Sequence, residues 1–207
     1  MARTVGGLEE LDDEIQAAGS SATLVPLDLR DHDGLDRLGR AVFERWGKLD
    51  GLVGNAAILG GLSPIAHFDP KEFDRVMSIN VTANYRLLRS ADLLLRQSDA
   101  GRAVFVSSSS AQSARAFWGP YAASKAALEA LVKSYASETA GATKVRTNIF
   151  YPGAVRTAMR AQAVPGEDPD TLPRPAELAP KLIDMLEPGF EENRSLYDWD
   201  KQSLTAL

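Results

Sequence analysis

A tyrosine and a lysine stand four residues apart in the segment YAASK at positions 121–125. The alanine- and leucine-rich sequence of residues 121–139 predicts a helix, and residues four apart share one helix face. An ammonium beside a phenol favours the phenolate. Tyr121, whose pKa would ordinarily be about 10, then becomes a usable general acid or base. A Tyr–Lys pair at this spacing also occurs by chance on many helices, so the prediction needs support from other residues.

A run of four serines, Ser107–Ser110, directly follows the apolar segment Ala103–Val106. The apolar segment predicts a strand that is covered on both faces of a parallel sheet. Ligands of such sheets bind beyond the carboxyl ends of the strands, so a serine there can hydrogen-bond a substrate oxygen. Ser108 fits this role best, whereas Ser109 and Ser110 also fit a flexible turn.

The elements that would position these residues alternate between short strands and helices, which predicts a parallel sheet flanked by helices. Asp69 is a candidate N-cap with Pro70 at the first helical position. The predicted strands are Ala22–Leu27, Leu49–Asn55, Ala103–Val106, Lys144–Tyr151 and Ser195–Tyr197. The predicted helices cover residues 8–15, 35–46, 70–95, 121–139 and 175–186. The proline-rich stretch Val164–Pro175 predicts a loop.

Composition excludes several classes of function. The chain has 207 residues, a formal net charge of −5, two histidines and no cysteine. The charge argues against nucleic acid or an acidic membrane as a partner, and the absence of cysteine excludes disulfides and thiolate catalysis. No apolar run is long enough for a signal peptide or a membrane span. We therefore expect a single domain, residues 1–207, in the cytoplasm.

The chain resembles the short-chain dehydrogenases/reductases, whose signature is a serine thirteen residues before the tyrosine of Tyr-x-x-x-Lys, as at positions 108 and 121. Four further blocks are similar to that family's and occur in the same order. They are Asp28-Leu29, Asn55-Ala56-Ala57, Ile79-Asn80-Val81 and the segment Pro152–Thr157. The resemblance implies an α/β fold with a Rossmann-like, doubly wound parallel sheet in three layers, α/β/α.

The resemblance also implies four catalytic residues. Tyr121 would exchange a proton with the substrate oxygen, and Ser108 would polarise the substrate carbonyl. Lys125 would lower the pKa of Tyr121 and hold the nicotinamide ribose. Asn80 would bind, through its backbone, a water that links Lys125 to solvent.

A cofactor site is implied in the same way, and no metal is. Its residues would be Arg3, Asp28, Leu29, Asn55, Ala56, Tyr121, Lys125, Pro152, Gly153, Val155 and Thr157. Arg3 stands where an arginine pairs with the 2′-phosphate of NADP, so NADP is expected rather than NAD; the residue also fits a solvated terminal arginine. Ala57 replaces the family's usual glycine, and its methyl group would crowd the ribose.

One family feature is missing from the sequence, the opening strand with its T-G-x-x-x-G-x-G loop, helix and most of a second strand. The chain therefore resembles an N-terminally truncated member, and we expect an incomplete sheet. Two arrangements are open: a gap between the strand ending near Asp28 and the strand ending near Asn55, or direct pairing of the two. Hydrogen bonds of Leu24 and Val53 distinguish them.

Three functions are compatible with these residues. The first is hydride transfer between NADP(H) and a small carbonyl or alcohol substrate. The second is a catalytically impaired fragment or a non-enzymatic scaffold that lacks the pyrophosphate loop. The third is epimerisation or dehydration on the same scaffold.

Phe117 and Trp118 either line an apolar pocket, with residues 159–175 as a lid, or serve only in packing. The helices at 70–95 and 121–139 are the surfaces through which the family forms homodimers and homotetramers.

Overall fold

Five strands form one sheet in the computed structural model, which describes residues 1–207. The strands are β1 (Gly51–Gly54), β2 (Arg102–Val106), β3 (Arg146–Tyr151), β4 (Ser195–Asp198) and β5 (Ser203–Ala206). Their order in the sheet is β1-β2-β3-β4-β5. The first three pairings are parallel and the last is antiparallel. The expected parallel sheet is confirmed, with β5 as an additional strand that the sequence did not predict.

Eight α-helices connect or cover these strands. They are α1 (Val5–Ala17), α2 (His32–Trp46), α3 (Pro70–Met77), α4 (Ala83–Gln97), α5 (Ser110–Ser113), α6 (Gly119–Thr139), α7 (Ala158–Ala163) and α8 (Pro175–Asp184). The short helices α5 and α7 were not predicted. None of the helices combines the length and the apolar character that crossing a bilayer requires.

The sheet is covered on both faces, because successive side chains of a strand point to opposite sides. Ala103 and Phe105 of β2 belong to the larger core cluster, which packs the sheet against α4 and α6. Val104, between them, belongs to a second cluster that includes Leu178 of α8. The result is the expected three-layer α/β/α arrangement, and it confirms that the segment Ala103–Val106 is a strand buried from both sides.

The long helix predicted for residues 70–95 contains one irregular turn. Asp69 caps its start by accepting a hydrogen bond from the backbone N–H of Lys71 at 2.8 Å, as predicted. Between α3 and α4 the chain forms a π-helical turn, Ser78–Thr82. Such turns insert an extra residue into an α-helix and are frequent at functional sites. This turn contains Asn80.

The predicted strand Ala22–Leu27 is not formed. The segment contributes a single isolated bridge, between Pro26 and Ala2, with backbone hydrogen bonds from Ala2 to Val25 and from Leu27 to Ala2. A strand requires a continuous partner for its backbone groups, and here only Ala2 lies alongside. β1 pairs with β2 alone, so of the two arrangements expected at this edge of the sheet, the gap is the one observed.

Candidate functional site

Ser108 and Tyr121 meet at the carboxyl edge of the sheet. Ser108 lies just beyond the end of β2, and Tyr121 lies in the first turn of α6. The Tyr121 side chain is only 8% exposed, and both side chains line one cavity. The Trp118 ring packs edge-on against the Tyr121 ring, with 5.9 Å between the ring centres. A serine hydroxyl and a largely buried phenol therefore lie at the wall of the same cavity.

Lys125 lies one turn further along α6 and is 3% exposed. Its ammonium donates a hydrogen bond to the carbonyl oxygen of Val106 at 2.7 Å and lies 5.8 Å from the centre of the Tyr121 ring. Burial lowers the pKa of Lys125 to about 8, against a smaller raising effect of the Glu129 charge. The ammonium is held inward, at the same strand end as Ser108.

Two opposing effects act on the pKa of Tyr121. Burial raises the pKa of Tyr121, because the phenolate is poorly solvated in this position. The hydrogen bond with Ser108 opposes that effect.

Asn80 is fully buried behind these residues. Its side chain accepts a hydrogen bond from the Ile58 backbone N–H at 2.8 Å and donates to the Ile58 carbonyl at 2.9 Å. It also donates to the Ser124 hydroxyl at 3.0 Å. The backbone carbonyl of Asn80 accepts from the Asn84 side chain at 2.9 Å. Asn80 thus joins the π turn to the loop after β1 and to α6.

A cavity of about 800 Å³ opens in front of the Ser108–Tyr121 pair. Its lining is largely apolar with a few polar groups, the usual composition of a small-molecule site. Nine residues that the sequence predicted for the site line it: Asn55, Ala56, Ser108, Tyr121, Lys125, Pro152, Gly153, Val155 and Thr157. They come from the ends of β1, β2 and β3 and from α6, as expected for the carboxyl edge of a parallel sheet.

The other predicted cofactor residues lie outside this cavity. Arg3, Asp28 and Leu29 are not in its lining. The Asp28 carboxylate accepts hydrogen bonds from the Arg30 guanidinium, which lowers the pKa of Asp28 to about 2, and the charge of Arg3 adds a small lowering effect. Arg3 therefore lies close enough to Asp28 for its charge to act on that carboxylate, and neither residue lines the cavity.

Asp200 is a cavity residue that sequence reasoning missed. Gly153 has a φ of +70°, and a Cβ at this position would lie 2.1 Å from an oxygen of the Asp200 carboxylate. The positive φ favours glycine here, and a larger residue would also displace the Asp200 carboxylate. No local motif marks Asp200, because the contact depends on how β4 and the turn after it return to the end of β3.

Of the two aromatic residues proposed for an apolar pocket, Trp118 lines the cavity and Phe117 does not.

The segment considered as a lid contains most of α7. The Thr157 hydroxyl caps the start of this helix by accepting a hydrogen bond from the Arg160 N–H at 3.2 Å. Arg160 and Glu167 form an ion pair, with 2.5 Å between Nη2 and Oε1. Apart from a 3-10 turn at Pro169–Thr171, Val164–Pro175 has no regular structure before α8, in agreement with the predicted loop.

The residues around the cavity fit the nicotinamide and ribose half of a dinucleotide. Lys125 and Asn55 supply polar groups for a ribose, and the Pro152–Gly153 turn offers a surface without a side chain at Gly153. For the pyrophosphate, the described residues offer no glycine-rich loop at a helix start, the usual binding element for such a group. The fit therefore concerns the reactive half of a dinucleotide.

Comparison with known proteins identifies the family. The model of the short chain dehydrogenase family matches residues 1–168. The uncharacterized oxidoreductase YciK of Escherichia coli is 40% identical over 151 residues, which are 73% of this chain and 59% of that protein. An uncharacterized NAD-dependent oxidoreductase of Mycobacterium tuberculosis is 34% identical over 146 residues, 70% of this chain and 52% of that protein. The chain spans between half and three fifths of the length of these two relatives.

Solved structures agree with this result. A short chain dehydrogenase from Salmonella enterica superposes with a TM-score of 0.90 at 31% identity, covering 95% of this chain and 82% of that one. A Shigella flexneri protein solved in complex with NADP superposes with a TM-score of 0.89 at 34% identity, covering 95% and 83%. From the family model, these relatives and the shared fold, we conclude that the chain belongs to the short-chain dehydrogenase/reductase family.

Proposed function

We propose that this protein is an NADP(H)-dependent oxidoreductase that interconverts a small carbonyl compound and the corresponding alcohol. The observation that carries the proposal is the position of Ser108, Tyr121 and the buried ammonium of Lys125 at the wall of one cavity. Family membership supports the same reaction class. These relatives are longer than this chain, so the activity of the whole protein is also part of the proposal.

In the proposed reaction Tyr121 donates a proton to the substrate oxygen during reduction and accepts one during oxidation. Ser108 donates a hydrogen bond to that oxygen and stabilises the negative charge that develops on it. Lys125 favours the phenolate form of Tyr121 once both groups face the substrate. The nicotinamide, when bound, supplies or accepts the hydride.

Asn80 acts in this proposal through the π turn. Its side-chain hydrogen bonds hold the loop after β1, which presents Asn55 and Ala56 to the cavity, against α6, which carries Tyr121 and Lys125. A water bound at this turn would connect Lys125 with solvent and return protons after each turnover. This role, like the other three, is a proposal for the intact site.

The choice of NADP over NAD is based on Arg3 and on one similar solved structure. The Shigella flexneri structure contains NADP, whereas the Mycobacterium tuberculosis relative is described as NAD-dependent. Arg3 is exposed and near Asp28, where its guanidinium could pair with a 2′-phosphate. We expect Arg3→Ala to weaken binding of NADPH more than that of NADH.

The test combines binding and turnover. NADPH fluorescence is titrated with this chain and with Tyr121→Phe, and NADPH oxidation is followed with a panel of aldehydes and ketones. We expect Tyr121→Phe to bind NADPH as the parent chain does but to lose turnover by about 10² to 10⁴-fold, the usual contribution of a general acid. Binding without turnover in the parent chain would contradict the proposal and favour a non-enzymatic scaffold, and equal turnover by both chains would exclude the role of Tyr121.

Two further expectations stay predictions. We propose a cytoplasmic protein that forms a homodimer or homotetramer through α4 and α6. Analytical ultracentrifugation would test the assembly, and a monomer at all concentrations would contradict it.

A further inference from the structure

A buried carboxylate lies one helical turn beyond Lys125. Glu129 of α6 is 4% exposed, although glutamate is among the residues least often buried in proteins. It is outside the cavity lining and has no role in the proposed reaction. Because an uncompensated buried charge is costly, its surroundings must supply compensation.

Three elements supply it. The Ser107 hydroxyl, beyond the end of β2, donates to Glu129 Oε1 at 2.8 Å. The Tyr151 hydroxyl, at the end of β3, donates to the same oxygen at 2.5 Å. On α6 itself, Lys133 Nζ lies 3.6 Å from Glu129 Oε2, and this lysine is partly exposed. The two hydroxyls therefore direct their donors at the same carboxylate oxygen.

Glu129 is connected to Lys125 in two ways. Ser107 directly follows Val106, whose carbonyl oxygen accepts the Lys125 hydrogen bond, so the bond from Ser107 to Glu129 fixes the strand end to which Lys125 is attached. The charge of Glu129 also raises the pKa of Lys125, against the larger lowering effect of burial. The carboxylate therefore bears on both the position and the charge of the ammonium.

We propose that Glu129 is a positioning residue for Lys125, whose buried carboxylate keeps the Lys125 ammonium charged and anchors the strand end that carries Ser108. This inference rests on the proposed function, because it assigns Glu129 to that same site. Its physical basis is a row of residues on one face of α6, Tyr121, Lys125, Glu129 and Lys133, at intervals of four. In this row the acid stands between two lysines, one buried and one partly exposed.

The titratable and charged groups around Glu129 determine which pKa values change when its carboxylate is removed. On α6 it faces Lys125 and Lys133; on β3 it faces Tyr151, whose pKa is raised by burial and by Glu129. From β4 the charge of Asp198 also raises the pKa of Tyr151, and from α5 Gln112 has a small lowering effect on it. Of these, Lys125 is the titratable group whose protonation the proposed reaction requires.

The test follows the titration of Lys125 directly and does not depend on turnover. The chain is labelled with lysine carrying ¹³C at Cε, and the Lys125 signal is assigned with Lys125→Met. For Glu129→Gln we expect the Lys125 titration midpoint to move to lower pH by about one unit, the lower end of the effect of a neighbouring opposite charge. For Glu129→Asp, which retains the charge, we expect a smaller shift. An unchanged midpoint in Glu129→Gln would overturn the proposal.

Control variants separate charge from packing. Tyr151→Phe removes one hydroxyl but retains the carboxylate, so the Lys125 midpoint should stay within a few tenths of a unit of the parent value. If Glu129→Gln fails to fold, Glu129→Met/Tyr151→Phe removes the charge together with a hydroxyl that would lack an acceptor, and Tyr151→Phe alone is its reference. A midpoint in the double variant equal to that of Tyr151→Phe would also overturn the proposal.

A second readout connects Glu129 with activity. If the chain oxidises NADPH, the alkaline limb of its kcat/KM profile should move to lower pH in Glu129→Gln and should be largely restored in Glu129→Asp. A purely structural role would lower stability without moving that limb. If the parent chain shows no NADPH turnover, that result counts against the proposed function. The Lys125 titration would still decide the inference on Glu129.

Discussion

At the scale of single residues, the site is controlled by burial. Tyr121 and Lys125 are both withdrawn from water, and burial disfavours the charged form of each. The pKa of Tyr121 therefore rises and that of Lys125 falls to about 8. The charge of Glu129 opposes the fall for Lys125, and hydrogen bonding to Ser108 opposes the rise for Tyr121.

The first prediction concerns Ser108. Ser108→Ala should lower kcat/KM by about 10² to 10³-fold, the usual effect of losing one preorganised donor at a developing oxyanion. It should also move the pH dependence of alcohol oxidation upward, because the hydrogen bond that lowers the Tyr121 pKa is lost. Both are read from steady-state pH profiles. Ser109→Ala, exposed and adjacent, is the matched control, and equal losses in the two variants would contradict the assignment.

The second prediction concerns Lys125 and stability. The lysine pKa is about 8 in the folded protein against a reference value of 10.5, so between these pH values the unfolded chain binds a proton that the folded protein does not. The contribution of Lys125 to stability therefore increases with pH across this window. The unfolding free energy of Lys125→Met minus that of the parent should accordingly fall by up to about 3 kcal/mol from pH 8 to 10.5.

Urea unfolding at a series of pH values measures this difference, and every other titratable group is common to both chains. Lys71→Met, at an exposed position of α3, serves as the control. A Lys125→Met difference as flat as that of the control would show that Lys125 is not desolvated as the structure indicates.

At the scale of elements, the π turn between α3 and α4 sets the position of Asn80. It places Asn80 where one side chain satisfies the backbone N–H and carbonyl of Ile58 and also reaches Ser124 of α6. These bonds are buried or partly buried, so their loss leaves polar groups with poorer partners. The helical pattern of residues 70–95 predicted the helix, but no local signal marked the irregular turn.

The third prediction follows from these bonds. Asn80→Ala should lower the unfolding free energy by about 2 to 4 kcal/mol, since it leaves the Ile58 N–H and carbonyl unpaired and creates a small cavity. Urea denaturation gives the value. Asp74→Ala, at an exposed position of α3, should be neutral within about 0.5 kcal/mol. A cost for Asn80→Ala no larger than that of Asp74→Ala would refute the structural role of the turn.

At the scale of the whole molecule, packing is uneven along the chain. The clusters on the two faces of the sheet draw their buried residues from position 52 onward. α2 joins this body through Leu35 and the Arg86–Asp36 ion pair. α1 buries only Leu8, its N-cap Thr4 makes no side-chain capping bond, and Gly6 and Gly7 lie in its first turn. That the 207 residues nevertheless behave as one domain stays a prediction.

The fourth prediction tests this unevenness. Amide hydrogens of α1 should exchange with solvent orders of magnitude faster than those of α4 and β2, because local opening is easiest where few apolar contacts must be broken. Hydrogen–deuterium exchange followed by mass spectrometry resolves these segments. Protection of α1 as strong as that of α4 would contradict the prediction and indicate that α1 unfolds only with the rest of the molecule.

Much of the fold and the site followed from the sequence alone. The apolar segment Ala103–Val106, the Asp69-Pro70 helix start and the spacing of Ser108, Tyr121 and Lys125 depend on residues close in the chain, where periodicity and capping determine structure. Nine of the predicted site residues share one cavity, because the carboxyl ends of parallel strands meet at one edge.

Tertiary structure decided the rest, because the decisive contacts join distant parts of the chain. Residues 22–27 had the composition of a strand, yet a strand needs a partner, and only Ala2 lies beside this segment. Asp200 against Gly153, Glu129 between Ser107 and Tyr151, and the burial that sets the pKa of Lys125 all depend on elements that meet only after folding. Residue types and spacings determined which chemistry is available here, and three-dimensional packing determined the charge state and partners of each group.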